Sequence, residues 1–153
     1  MNTLEFRQVD PSSPDALDLI RALSAEYAQR YPDTSFYGIE VEEFPATGGI
    51  FVVGYLADKP VACGTFRPMD GGDLAEIMRM FVKPGYRRQG ISRKMLAYLE
   101  ESARDLAFEQ VCLETGIRQP EAIGLYRSAG YVEIPPFGIY VDNPLSVCFE
   151  KHL

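Results

Sequence analysis

The chain has 153 residues, 46% of them apolar and 24% charged, which is the length and composition of one ordinary domain able to bury a core without staples. Its net charge of −7 argues against general nucleic-acid binding, and no apolar run is long enough to cross a bilayer. Three widely spaced cysteines (Cys63, Cys112, Cys148) and a lone His152 argue against a disulfide framework, a structural zinc site and a Ser-His-Asp triad, so no metal is expected.

Met1 to Asp10 has no apolar stretch followed by a cleavage site, so no signal peptide is expected and the protein reads as cytoplasmic. Leu4 to Val9 reads as a first strand. Pro11 to Asp15 is helix-start chemistry ahead of an apolar stripe at Leu17, Ile20, Leu23 and Tyr27, and that helix ends before Pro32. Residues 33 to 48 are ambiguous, with a short helix at Val41 to Phe44. Gly49 to Leu56 and Val61 to Arg67 read as strands around the turn Ala57-Asp58-Lys59-Pro60. Asp70-Gly71-Gly72 is a second hairpin signal, and Leu74 to Val82 is a long central strand.

After Pro84 the pattern changes. Gly90 to Ala107 has helical spacing, with Ile91, Met95, Leu99 and Leu106 on one stripe. Gln110 to Glu114 is a strand, Pro120 to Ala129 a helix stopped by Gly130, and Tyr131 to Ile134 and Ser146 to Lys151 are the last strands. The connections among the strands from Gly49 to Val82 are too short for crossover helices, so those strands are antiparallel. The strand–helix–strand unit from Leu74 to Glu114 implies one parallel pairing. The fold class is mixed α and β in one domain spanning residues 1–153.

The sharpest chemistry lies between the central strand and the next helix, in Lys83-Pro84-Gly85-Tyr86-Arg87-Arg88-Gln89-Gly90-Ile91-Ser92. Backbone N–H groups at a helix start lack intrahelical partners and, with the helix dipole, form an anion site. Gly90 allows close approach of a diphosphate, and Arg87, Arg88 and Arg93 add charge-assisted hydrogen bonds. Lys83, Arg87, Arg88, Arg93 and Lys94 form a basic island within twelve positions of an acidic chain. Gly85 and Gly90 have P-loop spacing, but Ile91 stands where that loop needs lysine, and no GxGxxG occurs, which argues against nucleotide kinases and Rossmann sites.

Arg87-Arg88-Gln89-Gly90-Ile91-Ser92 resembles the [QR]-x-x-G-x-[GA] pyrophosphate loop of the GNAT superfamily of acyl-CoA-dependent N-acyltransferases, with Ser92 at the last small position. Gln119-Pro120-Glu121-Ala122-Ile123-Gly124-Leu125-Tyr126, followed by Gly130-Tyr131, resembles that family's N-x-x-A-x-x-x-Y segment and its G-[FY], with Gln119 in place of Asn. The resemblance implies a GNAT-like, mostly antiparallel sheet flanked by helices. It implies acetyl-CoA as co-substrate and a small amine-bearing acceptor, with no nucleic-acid or membrane partner; a homodimer stays open. It assigns the donor to Met80, Phe81, Val82, Arg87, Arg88, Gln89, Gly90, Ile91, Ser92, Arg93 and Gln119, the backbone of Met80 to Val82 pairing with the pantetheine arm as a strand would.

Amide formation needs a neutral amine, so a base must take a proton. The resemblance points to Glu76, on the central strand eleven positions before Arg87 (87 − 76), as that base. It points to Tyr126 as the group beside the leaving sulfur. A phenol near 10 against a thiol near 8.5 makes full proton transfer uphill by about 2 kcal/mol, which favours a hydrogen bond to the thiolate. Arg67, Arg79 and Arg118 are candidates for an acidic acceptor or for surface ion pairs. Phe137 and Tyr140, beside Pro135-Pro136, read first as packing and second as a roof over the acceptor. A non-catalytic acyl-CoA sensor is the alternative to an enzyme.

Overall fold

A computed structural model of the chain describes residues 3–32, 49–69 and 72–153. The expected helix at Val41 to Phe44, and Asp70 and Gly71 of the second hairpin signal, lie outside the described residues.

Chain order runs β1 (Leu4–Gln8), α1 (Pro14–Arg30), β2 (Ile50–Leu56), β3 (Lys59–Pro68), β4 (Leu74–Val82), α2 (Ile91–Asp105), β5 (Gln110–Gly116), α3 (Pro120–Ser128), β6 (Val132–Ile134), a 3-10 turn (Gly138–Tyr140) and β7 (Ser146–His152). The strands form a seven-stranded sheet in the order β1-β2-β3-β4-β5-β7-β6. As expected, β4 and β5 are parallel, joined through α2, and the other neighbours are antiparallel.

Side chains alternate across the sheet. On one face Val52, Ala62, Phe66, Ile77, Val111, Leu113 and Phe149 pack with Ile91, Met95, Leu96, Leu99 and Ala103 of α2. On the other, Phe51, Val53, Tyr55, Cys63 and Phe81 pack with Ala16, Leu19, Ile20 and Leu23 of α1. The three cysteines are buried free thiols. Burial pushes Cys63 and Cys112 up to about 12 and Cys148 to about 11, so they behave as small hydrophobes.

Several expected boundaries move. The turn after β2 is Ala57-Asp58 alone, both left-handed (φ 51° and 64°), so Lys59 and Pro60 already belong to β3. In α1, Leu19 and not Leu17 lies on the buried stripe with Ala16, Ile20 and Leu23, the face that packs on the sheet. Leu106 follows the end of α2 and is 52% exposed, so it leaves the stripe that Ile91, Met95 and Leu99 share.

Two features of β4 prepare the site. Pairing with β3 steps from Cys63–Phe81 to Thr65–Met78, two residues along β3 (63 to 65) against three along β4 (81 to 78). The extra residue is a bulge, and Arg79 takes a positive φ of 54° there. Pairing with β5 stops at Ile77–Leu113, so beyond that point the β5-facing edge of Met78 to Val82 has no strand beside it among the described residues.

Candidate active site

The parting of β4 and β5 opens the sheet, and two adjoining spaces fill the opening. The larger, a groove of about 510 Å³, is lined by β4, α1, the β4–α2 loop and α3. Of the residues expected to hold an anionic donor, Met80, Phe81, Val82, Arg87, Arg88, Gly90, Ile91, Ser92, Arg93 and Gln119 line it. Gln89 is exposed in the loop and is not among the lining residues.

The loop turns through three left-handed residues, Gly85 (φ 96°), Arg88 (φ 65°) and Gly90 (φ 79°). Gly90 caps α2 without a side-chain hydrogen bond, and the helical ladder begins with Lys94 N–H on Gly90 C=O at 3.1 Å. The N–H groups of Ile91, Ser92 and Arg93 therefore precede the ladder, the arrangement of a helix-start anion site. A Cβ on Gly90 would meet nothing within 4 Å among the described residues.

The basic island is partly spent within the protein. Lys83 pairs with Asp18 at 2.9 Å, and Arg93 donates to the Ser128 hydroxyl at 2.6 Å. Arg87 donates from Nε to Val82 O at 2.8 Å and from Nη2 to Glu26 at 2.7 Å. Arg30 and Glu121 form a second pair on the groove, at 2.5 Å. Burial opposes ionisation of Glu121, but its own backbone N–H, Arg30 and the field of Arg87 together hold its carboxyl below the usual range. Sequence reading missed Glu26 and Arg30 because α1 reaches the loop only through tertiary packing.

The smaller space, about 100 Å³, is lined by Tyr27, Glu76, Met78, Glu114, Thr115, Tyr126 and Tyr140 among others. Leu23, Met80, Gln119, Ala122 and Tyr126 line both spaces. The Gln119 carbonyl oxygen accepts from Gly116 N–H at 3.1 Å, which ties the start of α3 to the end of β5.

Tyr126 is buried, its ring 5.7 Å from that of Tyr131 and 6.1 Å from that of Phe149. Its hydroxyl has no hydrogen-bond partner among the described residues. Burial first, and the Glu114 charge second, raise its pKa above the ordinary phenol value, so it keeps its proton.

Glu76 is 1% exposed and heavily engaged. Its Oε1 accepts from Arg67 Nε at 3.3 Å and Nη2 at 3.1 Å, and its Oε2 accepts from the Tyr140 hydroxyl at 2.9 Å. Tyr140 thus lines the small cavity and is tied to Glu76. Glu114, which sequence reading passed over, lies two residues beyond the Glu76–Cys112 pairing in β5. Its partner is the Ser146 hydroxyl, donating at 2.6 Å. Burial pushes the Glu114 carboxyl above the ordinary range, the Ser146 hydrogen bond opposes the rise, and the charge of Glu76 adds to it.

A family model described as the acetyltransferase (GNAT) family matches residues 16–131. The chain belongs to this family. It is 31% identical, over all 153 residues and the full length of both proteins, to an IAA acetyltransferase of Azospirillum brasilense. A solved structure from Klebsiella pneumoniae, assigned as an acyl-CoA N-acyltransferase, is 32% identical with a TM-score of 0.81, covering 100% of this chain and 98% of that one. A GNAT acetyltransferase from Elizabethkingia anophelis, solved with acetyl-CoA bound, shares the fold at a TM-score of 0.73 and 15% identity, covering 98% of each chain. This GNAT protein is accordingly an acetyltransferase that uses acetyl-CoA as its co-substrate. Among the described residues no group of three or more His, Cys, Asp or Glu is arranged to hold a metal ion, and no helix is long and apolar enough to cross a membrane.

Proposed function

We propose that this acetyltransferase passes the acetyl group directly from acetyl-CoA to the amine of a small molecule. The observation that carries the reading is the meeting of the groove and the small cavity at Tyr126, Met80 and Gln119. The phosphates lie at the start of α2, on the N–H groups of Ile91 to Arg93 and on Arg88. The pantetheine arm runs along the open edge of β4 at Met80 to Val82, as an added strand would. The thioester then lies at the junction, with the acceptor in the small cavity.

The amine nitrogen attacks the thioester carbonyl, the C–N bond forms and the C–S bond breaks. Glu114 takes the proton from the attacking nitrogen, either directly or through a water, because it is the carboxylate of the cavity without a cationic partner among the described residues. Glu76 serves as the fixed anion, paired with Arg67 and holding Tyr140 at the wall of the acceptor cavity. The Tyr126 hydroxyl donates a hydrogen bond to the departing thiolate and retains its proton.

A panel of small amines incubated with acetyl-CoA, read by released thiol and by product mass, tests the reading. Thiol release with amines and not with matched alcohols is the expected result. Tight acetyl-CoA binding with no release from any amine would instead identify a sensor. A cavity of about 100 Å³ favours compact acceptors over folded protein surfaces, so protein termini are expected to be poor acceptors.

A further inference from the structure

Arg87 belongs to the loop that receives the donor, yet its guanidinium is already engaged. Its Nε donates to Val82 O, its Nη2 meets the Glu26 carboxylate at 2.7 Å, and its Cζ lies 5.5 Å from the Phe81 ring centre. Glu26 comes from α1, 61 positions away in the chain, and lines the groove together with Arg87. Its side chain is 26% exposed, so its charge is neither buried nor fully screened by water. The Glu26–Arg87 contact makes no link that the core needs: α1 is held to the sheet by Ala16, Leu19, Ile20 and Leu23. A carboxylate on the wall of a groove for a multiply phosphorylated ligand is electrostatically adverse to that ligand.

We propose that Glu26 is an internal competitor of the donor: its carboxylate neutralises Arg87 in the free protein and must yield that cation to the phosphates of the incoming CoA. This rests on assigning the groove to the donor. The consequence is a deliberately moderate affinity. Glu26 reclaims Arg87 as CoA departs, which favours exchange of spent CoA for fresh acetyl-CoA. Glu26 is thus a specificity-setting residue for the donor site that has no part in the chemical step.

The test is Glu26→Gln, which keeps a hydrogen-bond acceptor for Arg87 and removes the charge. A unit charge about 6–8 Å from a phosphate in a wet groove changes affinity by about 3–10-fold. Calorimetry is therefore expected to show acetyl-CoA binding about 3–10-fold tighter in the variant at low salt. The gain shrinks toward nothing at 1 M salt, where the screening length falls to about 3 Å. Acetyl-pantetheine, which has no phosphates, binds both proteins alike. An unchanged or weaker affinity in the folded variant overturns the proposal and makes Glu26 a positioning residue for Arg87. A gain that persists at 1 M salt, or that extends to acetyl-pantetheine, also overturns it, since packing and not charge would then be responsible. Wild-type protein that binds acetyl-CoA no better than acetyl-pantetheine removes the groove assignment and the proposal together. Loss of acetyl-CoA binding in Gly90→Ala alongside an unaltered Glu26→Gln removes the proposal alone.

Discussion

Gly90 offers a clean separation of stability from donor binding. Its φ of 79° is left-handed, and an added Cβ would meet nothing within 4 Å among the described residues. Gly90→Ala therefore adds no clash in the free protein and costs only the backbone term, about 1–2 kcal/mol for an L-residue held in that region. At this chain length each kcal/mol moves Tm by about 2–4 °C, so the unliganded variant is expected to melt about 2–8 °C lower. The added methyl occupies the space through which a diphosphate would approach the α2 N–H groups, and a tenfold loss of affinity is expected. At a hundred times the wild-type Kd, acetyl-CoA stabilises the native protein by about 2.7 kcal/mol. A tenfold weaker variant at the same concentration retains RT ln 11, about 1.4 kcal/mol. The ligand-induced rise in Tm, measured by differential scanning fluorimetry and referenced to each protein's own apo value, should thus fall to about half. A rise equal to wild type, in a variant whose apo Tm has dropped as expected, refutes placing the diphosphate at Gly90.

The proposed chemical roles and the packing behind them give further expectations. Tyr126→Phe should lower the single-turnover rate about 10–1000-fold with acetyl-CoA affinity unchanged, because the lost hydrogen bond acts at the departing thiolate; an unaltered rate removes Tyr126 from the mechanism. Glu114→Gln should slow the chemical step by about 10²–10⁴-fold and abolish the acidic limb of the pH–rate profile, while loss of that limb in Glu76→Gln alone would return the base role to Glu76. The same Glu114→Gln change should raise Tm at neutral pH. A carboxyl raised on folding is destabilising wherever it is ionised, above its folded pKa, and the penalty fades as pH falls through that value toward the ordinary carboxylate one; the Tm difference from wild type should close over that interval. Gly116→Ala should destabilise the protein by about 1–3 kcal/mol in chemical denaturation, since the new methyl would fall within the buried Tyr31 hydroxyl that accepts from Arg118 N–H.

Local pattern was enough to read much of this molecule. Short connections fixed the antiparallel ladders β2–β3 and β3–β4, and the helix between β4 and β5 the parallel pair, whereas the antiparallel pairing of β1 with β2 across the long connection through α1 was set by the tertiary fold. Helix-start chemistry at Arg87 to Ser92 pointed to an anion site, and the family resemblance of the Gln119 to Tyr126 segment pointed to the tyrosine that lines both spaces. These are contiguous in the chain, so their spacing carries their geometry. Boundaries at Lys59, Leu17 and Leu106 moved by a turn's conformation or one helical step, which composition does not encode.

Only tertiary structure brought distant residues together at the site. The bulge at Arg79 and the parting of β4 from β5 arise from register with neighbouring strands, and neither has a local signal. Glu114 looked like any alternate residue of a strand until β5 was seen to leave β4 at Leu113 and expose it to a cavity. Glu76 was legible as a carboxylate on the right strand, but its capture by Arg67 and Tyr140, 64 positions apart in the latter case, depends on the 3-10 turn folding back over the sheet. The basic island was visible as charge, whereas the sharing of Arg87 with Glu26 is set by α1 packing. Charge and periodicity are properties of neighbours in the chain; which carboxylate is partnered, and by what, is a property of contacts that the chain makes with itself at long range.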